Sequence, residues 1–159
     1  MPYADWAGAR CDLTRTLEQL ADGEFLLMGE PLARSSPRRR LFARRHQRSP
    51  GPGPAPSRYV QALRVADVLS AECVGALGRG GTWEMADTTV EQLRSLGWLT
   101  PTETLAAYAV ATPNFAQHVD LTGAAALADL MVASLALLGT SPSALTLQTS
   151  EGGLRAVGD

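Results

Sequence analysis

Apolar residues recur at spacings of three and four from Trp6 through Ala9, Leu13, Leu17 and Leu20, the stripe of an amphipathic helix whose polar side carries Asp5, Asp12, Arg15, Glu18 and Gln19. Asp22-Gly23 supplies its stop. Phe-Leu-Leu-Met between Glu24 and Gly29 then has the length of a short buried strand. From Arg58 to Gly78 two readings compete. Tyr59, Leu63, Ala66, Ser70, Cys73 and Leu77 make a tolerable helical stripe. Two strands fit as well: Tyr59 to Val65, then Leu69, Ala71 and Cys73 alternating against Ser70 and Glu72, with Ala66-Asp67 as the turn. Valines at 60, 65, 68 and 74 favour the strands modestly.

Thr88 and Glu91 have the spacing of a capping box, and Val90, Leu93 and Leu96 continue as an apolar stripe ended by Gly97, which predicts a helix of about ten residues. Thr100-Pro101-Thr102-Glu103 repeats the signal with proline at the first helical position, opening a second helix to about Val110 that Pro113 ends. Asn114 to Asp120 reads as an edge strand. Thr122 begins the clearest helix, with Ala125, Ala128, Met131, Val132, Leu135 and Leu138 on one side and Gly139 as its stop. Leu145 and Leu147 alternate with Thr146 and Gln148 in a half-buried final strand. On the strand alternative the order is helix, strand, long loop, two strands, one or two helices, strand, helix, strand. That order predicts a single α+β domain over 1–159, with an antiparallel sheet covered by helices on one face.

With 159 residues, 45% of them hydrophobic and 19% charged, the chain has enough apolar content for a core and is neither collagen-like nor wholly disordered. Only Cys11 and Cys73 could pair, and nothing in their wide spacing suggests a disulfide. No charged start is followed by an apolar run of signal-peptide type, and Asp129 interrupts the best membrane candidate, so a cytoplasmic location is expected. The net charge of −2 conceals a segregation: 1–33 sums to −4, 34–58 to +8, and 59–159 to −6. The basic stretch also contains Pro37, Pro50, Pro52, Pro54 and Pro56. Proline removes backbone donors, so 31–57 is expected to be an exposed, mobile loop.

Candidate chemistry is sparse. Cys11, Cys73, His46 and His118 show none of the short spacings of metal sites, so no metal or other cofactor is expected and both cysteines read as small buried hydrophobes. His118 and Asp120 could orient one another for proton transfer, yet the nearest nucleophile candidate, Ser134, sits in no nucleophile motif, and no catalytic residue is assigned. Gly78-Arg-Gly-Gly81 lacks the continuation of a phosphate loop and reads as a turn. Trp83 and Trp98 border apolar stripes and read as core anchors. The sharpest feature is Arg38, Arg39, Arg40, Leu41, Phe42, Arg44 and Arg45, five arginines around an apolar pair. A solvated charged loop is the plain reading. The functional reading is capture of an acidic polypeptide anchored by Leu41 and Phe42. The alternative is binding of nucleic acid or an anionic membrane surface through 34–48, with nucleic acid disfavoured by the acidic remainder.

The order of elements and a set of local motifs resemble the type III secretion chaperone-like superfamily, in the branch with the YbjN-type proteins and the actinobacterial TY-Chap domains. The motifs are Trp6 with the first helix running into Gly23-Glu-Phe-Leu-Leu-Met-Gly29; Arg58-Tyr59-Val-Gln61; Ser70-Ala-Glu-Cys-Val-Gly75; Leu93-Arg-Ser-Leu96-Gly97-Trp98; Pro113-Asn114-Phe115; and an apolar helix followed by Ser141-Pro142 and Leu145. The resemblance selects strands for 58–78. It implies a non-enzymatic module that binds another polypeptide, often as a dimer. Main-chain pairing at an exposed sheet edge together with apolar contacts, a mode open to any short antiparallel sheet, is the expected way of binding. The fourteen residues between Trp98 and Pro113 and the long arginine-proline loop depart from the family pattern.

Overall fold

The computed structural model of the chain describes residues 3–30, 58–76 and 83–150. Its elements are α1 (Trp6–Gln19), β1 (Phe25–Gly29), β2 (Tyr59–Val65), β3 (Val68–Cys73), α2 (Asp87–Leu96), α3 (Pro101–Tyr108), β4 (Phe115–Asp120), α4 (Ala124–Leu137) and β5 (Thr146–Thr149). The strands form one antiparallel sheet in the order β4-β3-β2-β1-β5. Residues 59–73 are thus a hairpin and not a helix, turned at Ala66, whose φ of +52° is held by a 2.7 Å bond from its N–H to the Asp22 carboxylate.

Register divides the sheet into two faces. Leu26, Met28, Val60, Ala62, Leu69, Ala71, Cys73, Phe115 and Leu147 point inward and are buried. Onto them packs α4, which lies against β2, β3 and β4 and is itself flanked by α1 and α2. Enclosure on several sides explains why α4 is apolar around most of its circumference, with Leu127, Ala128, Met131, Val132 and Leu135 all buried. α1 contributes Ala9, Leu13 and Leu17, with Asp5 accepting from the Gly8 N–H at 2.8 Å as its N-cap.

Four expectations need correction. α2 starts at Asp87 behind Ala86, with no side-chain cap, so Thr88 lies inside the first turn and forms no capping box; the box does form at Thr100 and Glu103. Leu96 is exposed, because α2 meets α4 through Val90 and Leu93. Ala125 is exposed while Ala124 and Leu127 are buried, since the chain enters α4 through a 3-10 turn at Leu121–Gly123 that changes the rotation of the apolar stripe. Cys11 is exposed, two residues from both Ala9 and Leu13 and hence on the opposite side of α1; Cys73 is fully buried, its thiol pushed up to about 12 by that burial.

Candidate functional site

The other face of the sheet is built from the alternate positions. One row across it runs Phe25, Leu63, Ser70, His118, and the next runs Leu27, Gln61, Glu72, Ala116; beyond the first row, Val65 faces Val68, which faces Asp120. Phe25 is 47% exposed, Leu63 38%, Val65 52% and Val68 37%. These four are contiguous by register, whereas α1 and α4 lie on the opposite side of the sheet. Contiguous exposed apolar area is one mark of an interaction surface.

The β4 end of this face is walled. α3 packs on β4, and its last residue, Tyr108, sets its ring edge-on to His118 with centroids 4.3 Å apart. The loop that follows is pinned to β3 by Glu72. Its Oε1 accepts from Thr112 Oγ1 at 2.8 Å; its Oε2 accepts from Asn114 Nδ2 at 2.8 Å and from Gln61 Nε2 at 2.9 Å. Asn114 Oδ1 in turn accepts the buried Gly75 N–H at 3.1 Å. A Cβ on Gly75 would collide with the Pro113 carbonyl, so this close approach of β3 to the loop requires glycine. The motif residues Pro113 and Asn114 therefore frame the open face, while Phe115 turns inward beside Cys73 and is buried.

The other motif residues are structural. Gly97 ends α2 at φ +119°, which lets the chain turn so that Trp98 is buried. Trp98 Nε1 donates to Ser134 Oγ at 2.7 Å, and that hydroxyl donates to the Leu130 carbonyl at 2.6 Å. Ser134 is thus consumed as a buried anchor and is not poised as a nucleophile. Trp6 and Tyr59 are half-buried against the core, and burial raises the Tyr59 hydroxyl pKa above its ordinary value. Trp83 is also half-buried, with the Arg58 guanidinium 4.9 Å above its ring.

His118 is held below the ordinary histidine pKa, chiefly by desolvation, against which the Glu72 charge pulls upward. Its Nε2 is buried with no partner among the described residues. Asp120 is exposed at the end of β4, and no acid–base pair with His118 forms. Among the described residues no group of three or more His, Cys, Asp or Glu side chains could hold a metal ion, and no helix is long and apolar enough to cross a membrane. Arg38, Arg39, Arg40, Leu41, Phe42, Arg44 and Arg45, with His46 and Gly78-Arg-Gly-Gly81, lie outside the described residues.

The sheet borders differ. At β4 the outward N–H and C=O of Ala116 are paired with Leu99, both bonds 2.9 Å, and the His118 N–H donates to Gln117 Oε1. Gln117 Nε2 also donates to the Gly97 carbonyl. That border is closed. At β5, Ser150 donates to the Phe25 carbonyl, so antiparallel alternation directs the main-chain groups of Leu147 and Thr149 away from β1, and no further strand follows among the described residues.

The family profile described as "T3SS (YopN, CesT) and YbjN peptide-binding chaperone 3" matches residues 3–151. No curated protein and no solved structure matches the chain. A match over nearly the whole chain, whose described residues form a five-stranded antiparallel sheet, identifies the family: the chain belongs to the type III secretion system and YbjN peptide-binding chaperone 3 family, TY-Chap3.

Proposed function

We propose that this protein is a non-enzymatic binding module that holds a partner polypeptide, in extended form, against the open face of its sheet. The observation that carries this reading is the contiguous apolar patch of Phe25, Leu63, Val65 and Val68, exposed beside the wall made by Tyr108 and the Asn114 loop. The solvated face of an antiparallel sheet commonly carries polar residues at such positions. Membership of a peptide-binding chaperone family supports the same occupant. Main-chain pairing at a border is a lesser contribution, because the β4 border is closed and the outer-face residues of β5, Thr146 and Gln148, are polar.

An array of immobilised decapeptides of varied composition tests this. Wild-type protein should bind a subset rich in branched-chain and aromatic residues, and the variant L63T/V65T/V68T should lose those signals while keeping its circular dichroism spectrum. Unchanged binding by the folded variant overturns the face reading and leaves strand addition at β5. A wild-type dimer that the same variant converts to monomer would make this face a contact between copies of the chain, which also overturns it.

A further inference from the structure

Resting on the face reading above, we infer that the favoured occupant is a cationic apolar segment: an extended stretch with branched-chain or aromatic residues on Leu63 and Val65 and an arginine or lysine directed at Glu72. The argument is one of charge. The ionisable side chains that register places on the open face are Tyr59, Glu72, His118 and Asp120, and among the described residues no arginine joins them. Arg64 is turned away, donating to the Leu20 carbonyl at 2.6 Å and the Ala66 carbonyl at 2.9 Å. Arg58 bonds Glu30 and covers Trp83, and Arg94 is held by Glu91 and Glu103. Arg10 and Arg15 pair with Asp129 and Asp12, on α4 and α1.

Glu72 is different from a solvated surface acid. Three neutral donors fix its carboxylate in one orientation, and none of them cancels its charge. A carboxylate has about four lone-pair sites, so room remains for one more donor. Glu72 lies one strand over and two residues along from Leu63, a diagonal of about 8 Å from strand spacing and rise. A residue seated on Leu63 therefore leaves a neighbouring arginine or lysine within reach of Glu72.

The test uses three fluorescein-labelled decapeptides with one apolar pattern, carrying Arg, Gln or Glu at the intervening positions, titrated against the full chain by anisotropy. Affinity should follow Arg, then Gln, then Glu, with Arg at least tenfold above Glu in 50 mM salt and the ratio shrinking several-fold in 500 mM salt. E72Q should cut that ratio, while E18Q, which removes an equal charge from the exposed side of α1, should leave it intact. Equal affinity of the three peptides, or equal effects of E72Q and E18Q, overturns the inference. The wild-type ratio and its salt dependence decide the matter even if E72Q fails to fold. If L63T/V65T/V68T leaves all three affinities unchanged, the face reading itself has failed; if it lowers all three while wild-type protein shows no preference, only the charge inference has.

Discussion

Replacing Leu63, Val65 and Val68 together by threonine separates a binding surface from an ordinary exposed sheet. Fully burying a valine or leucine side chain is worth about 1.5–3 kcal/mol. Weighted by residual exposures of 38, 52 and 37%, occupation of this part of the face offers about 2–4 kcal/mol of apolar burial. Threonine keeps one methyl of each side chain, so roughly half of that gain, about 1–2 kcal/mol, is lost, a rise in Kd of about 5- to 30-fold. The same change also costs folding, because more than half of Leu63 and Val68 and nearly half of Val65 is already buried by the fold: about 1–3 kcal/mol by the same reckoning, offset in part because threonine suits a strand and the Val65–Val68 pair becomes a Thr–Thr pair that also stabilises a sheet. The assay is fluorescence anisotropy with the strongest decapeptide from the array, alongside thermal melting. A Kd within twofold of wild type, with Tm lowered by less than about 4 °C, would refute the reasoning.

Ser134→Ala leaves the Trp98 indole N–H buried without an acceptor and should destabilise by about 1–3 kcal/mol, read as a fall in urea midpoint at unchanged slope; a neutral result would remove the bond from the core's account. His118 binds its proton less readily folded than unfolded, so the unfolded chain takes up more protons as pH drops through the ordinary histidine value. Stability present above about pH 6.5 should therefore decline toward pH 5 in the wild type, and His118→Gln should flatten that decline in a Tm-against-pH series. Replacing Arg38, Arg39, Arg40, Arg44 and Arg45 by glutamine should leave peptide-array binding in place, whereas its loss would assign peptide capture to these arginines.

Most of the fold was legible because most elements carry their own punctuation: Asp22-Gly23 after the first helix, Thr100-Pro101 with Glu103 at α3, Gly97 and Gly139 after α2 and α4, whereas the Asp5 cap of α1 reads in the sequence only as part of a polar side. The hairpin was ambiguous for a physical reason. In Tyr59–Val65 and Val68–Cys73 apolar residues stand on both faces, which blurs the alternation that marks a half-buried strand. The same blurring hid the site. Val60 and Ala62 are core, whereas Leu63 and Val65 are surface, and no single-sequence pattern says which set the helices will cover. In the sequence the arginine cluster is conspicuous by composition, whereas Glu72 is only the polar half of an alternation, since its three donors come from β2 and from a loop some forty residues away.

An exposed apolar residue on a sheet has an innocent explanation, because Phe25 with Leu63 and Val65 with Val68 are cross-strand pairs that help to hold the hairpin and β1 together. Two features argue that pairing alone does not account for the patch. The neighbouring row, Gln148, Leu27, Gln61 and Glu72, achieves the same strand pairing with mostly polar side chains. The loop after α3 is also fastened over one side of the face by a carboxylate and an asparagine, an arrangement that adds rigidity beside the patch without covering it. Rigid walls beside uncovered apolar area lower the ordering cost that a flexible surface would incur on binding. If pairing were the only role, changes at these positions would register in melting and not in peptide affinity; a binding face requires that peptide affinity fall as well.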